Sequence, residues 1–221
     1  MVGLLAAGIL LADVPADGAR AARDSGDSAT LRQEIVRARQ NGGFDGQLRT
    51  ALLNLWLCET LYAVQDTKGV RLAAEAGVAA AEQAVKLRPD SSEAHRLLGD
   101  LLGQLIPHVF AGGMRYGPRS TREIEKALQL DARNAEAHIA RATSYFFTPS
   151  AFGGSKEKAM EHLRHAIELD PRSDTAHLWL AQVYADLKQR DRATAELEEA
   201  RRLNPNRGYT RYLISQIGGR P

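Results

Sequence analysis

Residues 174–205 read DTAHLWLAQVYADLKQRDRATAELEEARRLNP, and the fold follows from this stretch. Two amphipathic helical segments flank a short polar break, Lys188-Gln189-Arg190-Asp191. Small and large residues fall where two antiparallel helices must interlock: Leu180, Ala181 and Tyr184 on the first, Ala193, Leu197 and Ala200 on the second. Pro205 then ends the pair, because proline lacks the amide that another helical turn requires.

Working outward, the same closing mark recurs upstream. Segments end at Lys86–Pro89 (KLRP), Gln129–Ala132 (QLDA), Glu168–Pro171 (ELDP) and Arg202–Pro205 (RLNP), at successive spacings of 43, 39 and 34 residues. The segments also open alike, at Glu93–His95, Glu136–His138 and Thr175–His177. With both ends in register, the surplus residues fall in the turn inside each pair: IPHVFAGGMRYGP at 106–118 and TPSAFGGSKEK at 148–158. Both turns carry a proline, then a phenylalanine, then two glycines: Pro107, Phe110, Gly112, Gly113, and Pro149, Phe152, Gly153, Gly154. The prolines are expected to end the first helix and the glycines to supply positive φ in the return. Ser155 is placed to cap the following helix.

An earlier pair is weaker in pattern: Leu48–Gln65, then Val70–Leu87 with Ala84 at the small position. Ala29–Arg39 reads as a further helix, stopped by Asn41-Gly42-Gly43. Gly208–Ile217 is amphipathic and suited to cover the last apolar face. Within the third pair, Ala159, Leu163, Ala166 and Ile167 recur at three- and four-residue steps, with Lys156, Lys158, Glu161 and Arg164 elsewhere on the helix. No period of two occurs, so no sheet is expected.

This pattern resembles the tetratricopeptide repeat (TPR) family, whose period is near 34 residues. The resemblance implies an all-α, TPR-type α-solenoid of stacked antiparallel helix pairs in a right-handed superhelix. It divides the chain into an apolar leader and linker over 1–27 and a TPR domain over 28–221. The units are expected at about 48–90, 92–132, 135–171 and 174–205, with a capping helix at about 208–217.

Composition limits the function. The 221 residues are 44% hydrophobic and 25% charged, with a formal net charge of +2. That balance excludes the dense basic face of a nucleic-acid binder. Cys58 is the single cysteine, so no internal disulfide forms, and its apolar setting LLNLWLCETLY reads as a packed thiol. His95, His138 and His177 recur at one place in successive units, where packing or a satisfied polar edge is the expected role. His162 and His165 lie three apart on one helix, but no HExxH or CxxC spacing supports zinc. The glycine-rich turns match neither a P-loop nor a strand-linked GxGxxG. No nucleophile motif is present, and the carboxylates are interspersed with Lys and Arg at helical spacing. No enzyme, metal or cofactor is expected.

The apolar run Val2–Ala12 (VGLLAAGILLA) precedes small residues around Ala16–Ala21, like the core and cleavage region of a secretory signal, yet no Lys or Arg precedes Arg20. It reads as a truncated or atypical export signal, giving a periplasmic or otherwise exported protein, with a cytoplasmic location the alternative. It is shorter than the roughly 20 residues of a membrane span. Membrane association is expected only through this leader if it stays uncleaved.

By the TPR resemblance, residues at places 2, 5, 9 and 12 of each first helix face the concave side. Here these are Glu93, Arg96, Asp100 and Gly103, then Glu136, Ile139, Thr143 and Phe146, then Thr175, Leu178, Gln182 and Ala185. The expectation is a groove with an apolar middle, anchored by Phe146, Ile139 and Leu178, that binds a peptide or protein segment. Some TPR co-chaperones grip a terminal carboxylate with Lys and Asn at these places. Asp100 follows Arg96 here and no comparable Lys or Asn follows, so that mode is not expected. The inserted Pro-x-x-Phe-Gly-Gly turn followed by Lys-x-x-Ala resembles, over about residues 93–171, bacterial periplasmic TPR proteins associated with TRAP-type transporters. That resemblance implies instead an accessory protein, able to form oligomers, that meets a small ligand or a solute-binding protein.

Overall fold

The computed structural model describes residues 17–218, and all regular structure among them is helical. Two helices come first, α1 (Asp17–Ser25) and α2 (Ser28–Gln40). Four hairpins follow: α3 (Gly43–Ala63) with α4 (Thr67–Leu87), α5 (Ser92–Leu105) with α6 (Gly112–Leu130), α7 (Ala135–Phe147) with α8 (Lys156–Leu169), and α9 (Asp174–Asp186) with α10 (Arg190–Leu203). A last helix, α11, spans Gly208–Gly218. The chain forms an all-α solenoid in which each hairpin packs on the next in serial order.

Local chemistry sets the helix ends. Ser91, Asn134 and Ser173 cap α5, α7 and α9 by accepting a hydrogen bond from the amide three residues on. The second helices end in one shared way. Arg88, Asp131, Asp170 and Asn204 turn out of the helix at φ of −143°, −146°, −134° and −139°. Each donates its amide to the carbonyl of a fully buried alanine, Ala84, Ala127, Ala166 or Ala200. These alanines let the paired helices approach closely, and a larger side chain there would overpack the contact.

The turns inside the hairpins are built differently from expectation. Each holds one left-handed residue: Gln65, Ala111, Gly153 and Lys188, with φ of +59°, +52°, +90° and +61°. Of the four glycines expected to serve there, only Gly153 does. Gly112 and Gly154 are small for another reason, since a Cβ on either would strike a carbonyl oxygen, Ile106 O or Thr148 O. The second helix of the α5–α6 hairpin also begins early. Gly112–Pro118 belongs to α6 rather than to the turn, and Pro118 is accommodated in its second turn.

The N-terminal boundary also needs correction. Asp17–Ser25, expected in the linker of 1–27, is helix α1, with Ala19 and Ala22 buried against α2 and α3. Arg23 lies over the Trp56 ring at 5.1 Å. The apolar run read as an export signal falls in residues 1–16, outside the described residues. No described helix is long and apolar enough to cross a membrane.

The core runs the length of the stack, from Leu31, Leu57 and Val70, through Leu97 and Leu101, to Leu163, Leu180 and Val183, and ends on Leu178, Leu197 and Leu213. The two ends of the chain also meet. α11 packs on α9 and α10 and, across the molecule, on α3 and α1. Arg207, just before α11, makes a two-pronged pair with Glu59 of α3 at 2.9 and 2.6 Å. Asn204 reaches Asp24 of α1 at 3.1 Å, and the Tyr62 and Tyr209 rings meet edge-on at 6.5 Å. The solenoid closes into a ring.

Candidate functional site

The first helices of successive hairpins lie side by side, α3 on α5, α5 on α7 and α7 on α9, and their charged residues line the inner side of the ring. Arg96 of α5 is 3% exposed and binds both neighbours on its own helix: Glu93 through Nε at 2.7 Å and Nη2 at 2.5 Å, and Asp100 through Nη1 at 2.7 Å. Arg207 is buried alike and adds Asp174 at 2.9 Å and Thr175 at 2.8 Å to its pair with Glu59.

Carboxylates outnumber guanidinium groups on this wall. Burial works against the charge of Arg96, but Glu93, Asp100 and Glu136 outweigh it and hold the guanidinium above its ordinary value. Burial raises Asp100 well above the usual carboxylate range; Arg96 opposes the shift, while Glu136 and Glu93 add to it. Glu136 is raised by burial too, against Arg96, Arg207 and Arg23. Its side chain is nonetheless exposed. A carboxylate open to water yet walled by protein suits a position inside a concave surface, where solvent screens incompletely. Among the described residues, no ion pair reaches it.

Two of the three expected apolar anchors are not available to a partner. Ile139 is 4% exposed and Leu178 1%, both inside the core between hairpins. The expectation of an apolar groove middle is therefore corrected: the inner wall is charged. The cause is packing: Ile139 joins the core with Leu163 and Leu180, and Leu178 joins Leu197 and Leu213. Arg96 is likewise committed to intrahelical pairs. Glu93, Asp100, Thr143, Phe146 and Gln182 keep partial exposure. Phe146 meets Phe147 edge-on at 4.9 Å, and Phe147 meets Trp179 at 5.7 Å, so an aromatic cluster forms at the C-terminal end of α7, against α9. Phe147 and Trp179 were missed because their exposure depends on how α7 meets α9.

The recurring histidines tie the two helices of each hairpin together. His95 Nδ1 meets Glu123 at 2.6 Å, and His177 Nδ1 meets Glu196 at 2.6 Å. His138 instead faces His162, Nδ1 to Nδ1 at 2.9 Å, with its Nε2 on Ala132 O at 3.1 Å. Among the described residues, no group of three or more His, Cys, Asp or Glu is placed to hold a metal ion. Cys58 is buried, and burial pushes its thiol up to about 12. It is no nucleophile at neutral pH.

Residues 156–217 match the tetratricopeptide repeat family. That part of the chain carries tetratricopeptide repeats. No curated protein matches it in sequence. Among solved structures, TTC0263, a thermophilic TPR protein of Thermus thermophilus, is similar over 87% of this chain and 100% of its own, at 17% identity and a TM-score of 0.57. YrrB, described as a TPR protein with an unusual peptide-binding site, is similar over 90% of this chain and 98% of its own, at 14% identity and a TM-score of 0.47. MamA from Desulfovibrio magneticus RS-1 is similar over 83% and 99%, at 17% identity and a TM-score of 0.46. At 17% identity, the likeness to TTC0263 shows the fold alone.

Proposed function

We propose that this TPR protein is a non-catalytic scaffold that holds a cationic, apolar-tipped segment of a partner protein against the inner face of its first helices. The observation that carries this reading is the carboxylate cluster around Arg96: Glu93 and Asp100 are committed to its guanidinium, while Glu136, in the field of Arg96, Arg207 and Arg23, makes no ion pair among the described residues and stands open to solvent. A Lys or Arg side chain entering there relieves the excess of carboxylates, and the desolvated surroundings strengthen the contact. Further along α7, the Phe146–Phe147–Trp179 cluster offers an apolar and aromatic footing for another part of the segment.

The test is site-directed photocrosslinking from position 136 in the native host, followed by mass spectrometry of the captured segments. Segments rich in Lys and Arg are expected, and Glu136→Lys is expected to abolish their recovery from a Phe146 crosslinker. Acidic or purely apolar segments, or capture indifferent to Glu136→Lys, would sink the reading. A small apolar ligand copurifying in place of a peptide would favour the transport-accessory alternative.

A further inference from the structure

Three large apolar side chains stand in water on one edge of the stack. Phe110 is 98% exposed, Met114 81% and Phe152 82%. Phe110 and Met114 sit where α5 passes to α6, and Phe152 where α7 passes to α8. The turn inside each hairpin reverses the chain and the turn to the next hairpin restores its direction, so neighbouring first helices run the same way and their inner turns share an edge. The two hairpins are in contact, with the Thr121 and Ser144 hydroxyls 3.4 Å apart. The two apolar tips are therefore neighbours.

Charge singles out the same edge. No Asp or Glu occurs in 101–122 or in 137–156, the two segments that build these tips. Arg115 and Arg119 flank the first tip; Lys156 and Lys158 flank the second, with the exposed Glu157 between them, so cations outnumber carboxylates four to one. Arg119 pairs with Glu82 at 2.6 Å and Lys156 pairs with Asp186. Both pairs are substantially exposed, of the kind that exchanges readily for another anion. The opposite edge serves as an internal control. Its turns 88–91, 131–134 and 170–173 alternate Arg88 with Asp90, Asp131 with Arg133 and Asp170 with Arg172, and hold no Phe, Met, Leu, Ile or Val.

We propose that this edge docks on an anionic lipid bilayer. Phe110, Met114 and Phe152 enter the boundary between headgroups and acyl chains, while Arg115, Arg119, Lys156 and Lys158 meet lipid phosphates. The shape of the edge favours a bilayer over a folded partner. The apolar groups are convex tips, and a fluid interface closes around protrusions without needing matching pits. The edge is separate from the inner acidic wall, so membrane docking leaves that wall open to a partner.

The full chain is mixed with vesicles of phosphatidylcholine alone and of phosphatidylcholine containing phosphatidylglycerol, and bound protein is measured by flotation. Phe110→Ser/Phe152→Ser is compared with the unaltered chain, the N-terminal apolar run being the same in both. Binding to the anionic vesicles, weakened by salt, is expected to fall by about tenfold or more in the double variant. Both side chains lie outside the core, so circular dichroism melting should be unchanged, confirming that the loss is not unfolding. Equal binding to neutral vesicles, or equal binding by the two proteins, would overturn the proposal. So would a dimer that the double variant converts to monomers without any vesicle binding by the original chain, which would make the edge an interface between copies.

Discussion

At the scale of single residues, Asp100 has the least favourable setting on the inner wall. It shares one guanidinium with Glu93 and Glu136, and burial pushes its carboxyl upward. The unfolded chain gives up this proton first, so the group favours the fold in acid, and that contribution is lost as pH rises through the folded-state value. Asn keeps the acceptor that Arg96 uses but removes the charge. Asp100→Asn should therefore raise the melting temperature at about pH 8, with an effect that shrinks steadily as pH falls through about 7 toward the unfolded value of 3.8. His162 works in the opposite sense. Burial, then His138, Arg141 and His165, lower its imidazole to about 4. A neutral His162 supports the fold above the unfolded value of about 6.5, and that support fades as pH falls toward about 4. NMR titration should find His162 neutral throughout the range where an ordinary histidine protonates, and His138→Ala should bring its midpoint upward.

At the scale of elements, the hairpin turns concentrate the strain. Three of their four left-handed residues carry side chains: Gln65, Ala111 and Lys188. An L side chain in that region costs about 1–2 kcal/mol, partly offset in glycine by its greater freedom when unfolded. Lys188→Gly should therefore stabilise the protein by up to about 1 kcal/mol in urea denaturation. Gly154 is the converse case. It is not left-handed, yet its missing Cβ leaves room for the Thr148 carbonyl. Gly154→Ala should cost about 1–3 kcal/mol by displacing the turn that joins α7 to α8. A tolerated alanine there would show that the turn has slack the packing does not suggest.

At the scale of the whole molecule, ring closure rests on Arg207. It joins residues 148 positions apart and holds Glu59 and Asp174 in one contact, with Asn204 and Asp24 alongside. Replacing Arg207 by leucine leaves two partly buried carboxylates without their cation, a loss of about 3–5 kcal/mol. Arg207→Leu should lower stability accordingly and enlarge the radius of gyration by X-ray scattering as the ends part. Unchanged scattering would mean that the packing of α11 on α3 suffices to hold the ring.

What could be read from the sequence was local. The buried alanines Ala84, Ala127, Ala166 and Ala200, the capping residues Ser91, Asn134 and Ser173, and the prolines after the second helices act within a turn or two of chain. Spacing alone therefore places the four hairpins and makes the molecule a stack, although it left α1 in a linker and the start of α6 in a turn. The inner face was legible only in part. Glu136 is exposed, but Ile139 and Leu178 are sealed in the core, because contacts with residues distant in the chain decide which position meets solvent. The closed ring left no local mark at all. Arg207 looks like any cation after a helix end until superhelical curvature, summed over four hairpins, brings Glu59 within reach. Short-range sterics and hydrogen bonding determine the repeat; the small angles accumulated between repeats determine what its inner surface becomes.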